Sequence, residues 1–302
     1  MKRPDLFLFA ALAAATAGAP VLAQDTPSAI AHKEGQVPDF SGPWRHQSLP
    51  GPEPLASGPT SLKNLSRRNG VSDYGELVGD YMNPILKPEA AAIVKRNGEI
   101  SKSGVAFGNP SSQCWPEPVP FIFKSFRMEM LQQKDKITIL YDTDHQHRVV
   151  RMNASHPAKV KPSLHGDSIG HWEGDTLVID TIGQRTDRPY AMVDIYGTPY
   201  TDKLHVVERY RLIDYEAAQD GLERDAKENQ RVPGDIDPNY RGKFLQVYFT
   251  VEDPNVFTTR WSATVTYRPD RGSWGESVCS ENPHEYYYNR DSDVPVTSTP
   301  DF

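Results

Sequence analysis

Apolar and polar residues alternate with a period of two along the middle and later parts of the chain, and this rhythm predicts strands. Phe126, Met128 and Met130 alternate with Arg127 and Glu129, a polar turn follows at Lys134-Asp135-Lys136, and Ile137 to Tyr141 runs back as the second arm of a hairpin. A second hairpin is better defined. Gly174-Asp175 suits a two-residue turn that accepts positive φ, so Glu173 should pair with Thr176 and Trp172 with Leu177. Counting outward, Gly170, Trp172, Leu177 and Ile179 fall on one face, the predicted core, and His171, Glu173, Thr176 and Asp180 on the other. Three further strands are predicted at Leu204 to Leu212, Leu245 to Val251 and Phe257 to Tyr267. In the first of them Glu208 has the same parity as Leu204, Val206, Tyr210 and Leu212.

From Asp25 to Pro120 this rhythm is missing, and half of the chain's 26 prolines gather there. The stretch reads as an irregular arm wrapped on a β domain. One short helix is predicted in it, Lys87 to Gly98, with Pro88 suited to the first turn, Glu89 to the positive end and Asn97-Gly98 as the stop. Gly42-Pro43-Trp44 resembles the Gly-x-Trp near the start of lipocalin barrels, its Trp plugging one end of the core. The polar stretch Ala217 to Pro238 is expected to be a long surface loop. Some seven strands with short turns and a single helix imply an all-β fold: an antiparallel β-barrel of lipocalin or calycin type, or a sandwich. The expected division is a leader over 1–23, a Pro-rich arm over 24–120, the β domain over 121–288 and a frayed tail over 289–302.

Composition adds the compartment. Lys2 and Arg3, the apolar run Leu6 to Ala17 and the small-residue site Val21-Leu22-Ala23 form the pattern of a cleaved secretory signal peptide, which places the mature protein in the periplasm or outside the cell. The run is shorter than the roughly 20 residues needed to span a bilayer, and no later segment is long and apolar enough to do so, so no membrane insertion is expected after cleavage. A formal charge of -7 makes nucleic acid a poor partner. Oligomeric state is not readable. Cys114 and Cys279 are the only cysteines, and in an oxidising compartment they are expected to form one disulfide. Closing so long a loop stabilises a fold by roughly 4 to 5 kcal/mol in chain-entropy terms.

The order Ile139-Leu140-Tyr141, His145 and Arg148, His156-Pro157, then Gly166-x-Ser168-Ile169-Gly170-x-Trp172-Glu173-Gly174-Asp175-Thr176-Leu177-Val178-Ile179-Asp180-Thr181, Val207-Glu208-Arg209, Glu252-Asp253-Pro254 and Cys279-Ser280-Glu281-Asn282 resembles a large family of exported bacterial proteins with no assigned activity. The likeness spans roughly Cys114 to Asn282. It implies export, a bacterial source and one β domain, and it brings no activity. Where that family has a Gly-Arg pair ahead of His-Pro, this chain has Ala154-Ser155.

Most of the nine histidines fall between Tyr141 and Arg211. His145 and His147 have the His-x-His spacing of β-barrel metal sites, with His156, His165, His171 or His205 as a third ligand, so a divalent metal is one option. Without metal, and with no other cofactor signalled, His145 suits proton transfer, since histidine ordinarily titrates near neutrality. Glu208, on an apolar face, needs a partner, and Arg148 is the candidate. That pair is either a structural ion pair or part of an acid/base site. Asp167-Ser168 near His165 lacks the Gly-x-Ser-x-Gly elbow of a nucleophilic serine.

The reading with most support is an exported enzyme, a lyase, isomerase or hydrolase, acting on a small apolar or aromatic molecule inside the barrel. His145 would move the proton, Glu208 would complement it, and Arg148 with His156 would hold an oxyanion. Trp172, Tyr210, Trp261 and Tyr267 would wall the pocket. The rivals are a lipocalin-like small-molecule binding protein and a metal-binding protein built on the histidines.

Overall fold

The computed structural model describes residues 37–231, 237–272, 275, 278 and 279; the expected signal peptide over 1–23 and the tail over 289–302 lie outside the described residues. In chain order the elements are β1 (Gly42–Arg45), β2 (Ser48–Leu49), β3 (Arg67–Arg68), β4 (Val71–Ser72), α1 (Pro88–Lys102), β5 (Arg127–Gln132), β6 (Lys136–Tyr141), β7 (His147–Met152), β8 (Asp167–Glu173), β9 (Thr176–Ile182), β10 (His205–Ile213), α2 (Tyr215–Glu228), β11 (Gln230–Arg231), β12 (Phe244–Glu252) and β13 (Trp261–Pro269). Nine strands close a barrel in the order β1-β13-β12-β10-β9-β8-β7-β6-β5. β2 with β11 and β3 with β4 form two-stranded ribbons.

Strand alternation decides what lies inside. Met128, Ile139, Arg148, Ser168, Gly170, Thr181, Glu208, Val247, Ala263 and Tyr267 are all buried and belong to the inward parity of their strands. The β8–β9 hairpin has the predicted register, Trp172 facing Leu177 and Glu173 facing Thr176, with Gly174 at φ 64°. An odd ring of strands cannot alternate direction all the way round, so one pair must be parallel. That pair is β7–β8, with Val150 beside Ser168 and Met152 beside Gly170. Residues Asn153 to Gly166 make the long crossing that a parallel pair needs.

Four sequence expectations change. The arm does more than wrap: β1 lies between β5 and β13, with Trp44 opposite Met128 on one side and Pro269 on the other, and so closes the barrel. Helix α1 runs through Asn97-Gly98 because both are buried against neighbouring chain. Asn97 Nδ2 donates to the Tyr196 carbonyl at 3.3 Å, and a Cβ on Gly98 would sit 3.0 Å from Val78 Cγ1. The polar stretch after Asp214 holds a second helix, α2, which buries the narrow stripe Ala218, Gly221 and Asp225. The strand predicted from Phe257 begins only at Trp261, Phe257 itself making an isolated bridge to Leu86.

Beyond β1 the free edge of β13 is completed by the arm. Glu53 N donates to the Thr264 carbonyl at 2.8 Å, and Ser262 N to Pro59 at 3.1 Å. At the next step a side chain takes over: Thr266 N donates to Glu53 Oε1 at 2.8 Å, and the Thr264 and Thr266 hydroxyls both donate to Oε2 at 2.9 Å. Gly221 of α2 leaves room for this carboxyl, since a Cβ there would lie 2.9 Å from Glu53 Oε2. Burial, with Asp225 close by, pushes Glu53 up from 4.5 to about 7 against the pull of the threonines. The folded state therefore binds this proton more tightly than the unfolded chain. Its stabilisation is complete below about pH 4.5 and is lost as pH rises through about 7, a change of up to about 3 kcal/mol. Glu53→Gln should remove that loss. Melting curves of both proteins from pH 5 to 8 are expected to diverge, the variant gaining on the parent as pH rises; a constant gap would rule this account out.

Candidate functional site

The residues singled out by sequence fall into three separate places. Inside the barrel, Arg148 and Glu208 form a bidentate pair, Nη1 to Oε1 and Nη2 to Oε2, both at 2.6 Å. Their side chains are 2 % and 0 % exposed. Tyr210 Oη donates to Glu208 Oε2 at 2.7 Å, and Thr181 Oγ1 reaches Oε1 at 3.4 Å. Burial pushes the Tyr141 hydroxyl beside them up to about 12. None of the five main cavities around the described residues is lined by Arg148, Glu208 or Tyr210. The pair is walled by side chains, and the geometry makes it a core ion pair joining β7 to β10 across the barrel.

His145 and His147 stay outside the barrel. His145 ends a short 3-10 turn, Thr143–His145, with φ 48°, and is exposed; His147, the first residue of β7, points outward, opposite in parity to Arg148. His145 and Glu208 are not brought together: His145 lies in the exposed turn before β7, and the strand that turns Arg148 inward turns His147 out. Among the described residues no group of three or more histidines, cysteines, aspartates or glutamates is arranged to hold a metal ion. His156 lies on the outer wall, away from Arg148. Its Nδ1 is 2.6 Å from Asp167 Oδ2 and its Nε2 3.1 Å from Asp180 Oδ1, and His205 Nε2 reaches the same Asp180 oxygen at 3.0 Å. The Asp180 bond raises His205 above its ordinary value against partial burial. Asp167 also takes Arg151 at 2.8 Å. This belt ties the β7–β8 crossing to β9 and β10.

Of the expected wall residues, Trp172 packs on Phe40 with ring centroids 5.3 Å apart, at the end of the core. Tyr267 meets His46 edge to face at 5.1 Å. Trp261 borders a hollow of about 40 Å³ with Phe123, Phe249 and Pro50, far below the size of an aromatic ligand site. Ser168 Oγ bonds Thr181 Oγ1 at 2.9 Å while Asp167 is engaged with His156, so no serine triad is assembled. His165 is held against the Glu117 carbonyl at 3.0 Å, and burial, with Arg148 near, lowers it to about 4. Cys114 and Cys279 form the expected disulfide.

The largest of these five cavities, about 810 Å³, opens between the arm and the end of the barrel where β5 starts and β6 finishes. Phe107, Phe121, Phe126 and Leu77 give it apolar walls, and Lys124 and Asp142 are among its polar residues. Its volume suits a drug-sized ligand. Asp142 directly follows β6. Burial raises its carboxyl above the usual range, against the Arg127 and Thr143 amides and the charges of Arg127 and Lys124, and its Oδ1 is buried without a hydrogen-bond partner. Lys124 Nζ lies 2.9 Å from Oε1 of the fully buried Glu117. Asp144 Oδ1 accepts from Cys279 N at 2.6 Å, so the disulfide fixes one wall. Sequence marks Asp142 only as the polar end of a strand, and Glu117 and Lys124 lie in the Pro-rich approach to β5, where no period is legible. Comparisons with protein-family models, curated proteins and solved structures find no match to this chain.

Proposed function

We propose that this protein binds a small, largely apolar or aromatic molecule in the 810 Å³ cleft and transfers a proton to or from it, with Asp142 as the acid/base group. The observation that carries this reading is Asp142: a carboxyl raised by burial at the wall of a cavity of ligand size. Such a group holds its proton closer to neutral pH than an ordinary aspartate, as a general acid requires. The charges of Arg127 and Lys124 stabilise the carboxylate left when the proton departs. This moves the acid/base role from His145 and Glu208 to the capped end of the barrel, and the periplasmic or secreted setting expected from the sequence is kept.

A carrier is the second reading. It is favoured by the pairing of the cleft's cations, Lys124 with Glu117 and Arg127 with Asp270, which leaves the polar groups suited to orienting a ligand. Native mass spectrometry of protein purified from the periplasm would identify a retained molecule. Incubation of that molecule with parent and Asp142→Asn protein then separates the readings. Asp142→Asn should keep binding and lose turnover by about 10²–10⁴-fold, the usual contribution of a positioned acid or base. Turnover unchanged in Asp142→Asn overturns the acid/base role, and a ligand returned unchanged by both proteins selects the carrier.

A further inference from the structure

Three arginines stand in a row on the outer wall where the barrel closes. β5, β1 and β13 pair so that Arg127 faces Arg45 and Arg45 faces Arg268. Each is flanked by an inward neighbour, Met128, Trp44 and Tyr267, so all three point outward. Directly opposed residues on paired strands lie roughly 5 Å apart at Cβ, and like charges there destabilise the sheet. Asp270 offsets one of the three: its Oδ2 is 2.8 Å from Arg127 Nε, while its Oδ1 accepts from Gly272 N at 3.0 Å. No salt bridge to Arg45 or Arg268 is formed among the described residues. Arg45 Nε is buried and donates to nothing. Arg268 lies over the Phe244 ring at 5.5 Å, and burial with Arg231 nearby holds it below the usual arginine range.

The row faces a cavity of about 450 Å³ that Arg271, Tyr240 and Pro269 also line, four arginines standing there against the two carboxylates Asp237 and Asp270, and Arg268 Nη1 donates to the Asp237 carbonyl at 3.4 Å. A cationic concentration of this kind in a chain of net charge -7 opposes the overall field and calls for an anion at that spot. Guanidinium forks match tetrahedral oxyanions, donating paired N–H groups to their oxygens. An inorganic oxyanion would leave most of the cavity empty, and Tyr240 and Pro269 offer an organic portion an apolar wall. We propose that the Arg127–Arg45–Arg268 row is a binding site for a small organic phosphate or sulfate ester, the oxyanion held by Arg45 and Arg268. The inference is independent of the proton-transfer reading, although Arg127 borders both cavities.

The test is calorimetric titration and thermal melting of the full chain with phenyl phosphate, phenyl sulfate, inorganic phosphate and sodium chloride at matched ionic strength. The parent is compared with Arg45→Met and Arg268→Met, which keep the apolar stem, and with Arg188→Met as a control elsewhere. One of the esters is expected to bind the parent and Arg188→Met with a single site. Loss of one charge-assisted donor set should weaken that binding by about 10-fold or more in Arg45→Met and in Arg268→Met. Without ligand, Arg45→Met should melt no lower than the parent, because the middle of three like charges is gone. Neither ester binding beyond the chloride control overturns the site. A lower ligand-free melting temperature in Arg45→Met with unchanged ester affinity overturns it in favour of a structural role. Inorganic phosphate binding as tightly as phenyl phosphate overturns the ester and assigns the row to the free oxyanion.

Discussion

Arg148→Met is expected to lower the melting temperature by roughly 6–20 °C, the equivalent of about 3–5 kcal/mol in a domain of this size. Met fills much of the volume of the arginine stem, so a cavity is not the main effect. The loss comes from Glu208, left charged and unpaired at 0 % exposure among Tyr210, Tyr141 and Tyr267. Tyr210 Oη at 2.7 Å would be its remaining strong donor, with Thr181 more distant at 3.4 Å. Removing both partners is a different experiment. Arg148→Met with Glu208→Leu replaces a desolvated pair by apolar contacts, and such exchanges are often neutral or stabilising. The double variant should therefore recover most of the melting temperature lost by the single one. Arg148→Met melting within about 2 °C of the parent would show that the pair carries little of the fold.

The same pair shows how far the sequence could be followed. A carboxylate at Glu208, on the parity of Val206, Tyr210 and Leu212, had to be paired if that face was core, and Arg148 was the reachable partner. Parity could not tell whether space remained beside it, because that depends on how Tyr141, Tyr210, Tyr267 and Arg148 fill one layer from four strands. The β8–β9 hairpin was legible to the residue because a two-residue turn fixes register locally. Helix α2 was not, since Tyr215–Glu228 buries only a thin stripe and its remaining surface reads as polar loop. β1 was missed for a related reason: four residues that include a proline have too little length to display a period, and only the unsatisfied edges of β5 and β13 call them into the barrel. Glu53 and Asp142 owe their raised carboxyls to burial by chain distant in sequence, a property absent from any local pattern.

Loss of the Cys114–Cys279 link is expected to reduce stability by roughly 4 to 5 kcal/mol and to weaken ligand binding in the cleft at the same time. The bond joins residues 165 apart in sequence, so most of its effect acts on the unfolded chain, which regains conformations that the cross-link forbids. Its local effect is on the cleft. Val278 and Cys279 line that cavity, and Cys279 N is hydrogen-bonded to Asp144, so release of the sulfur frees a wall built on the turn that follows Asp142. Urea unfolding of the Cys114→Ser/Cys279→Ser protein should separate this mechanism from that of Arg148→Met. Without the cross-link the unfolded chain exposes more surface, so the slope of free energy against urea should steepen as the midpoint falls. Arg148→Met acts on the folded state and should move the midpoint with the slope unchanged. An unchanged slope in the cysteine variant would mean that the bond acts on the folded state alone, and the loss of stability should then shrink to that of the cleft wall.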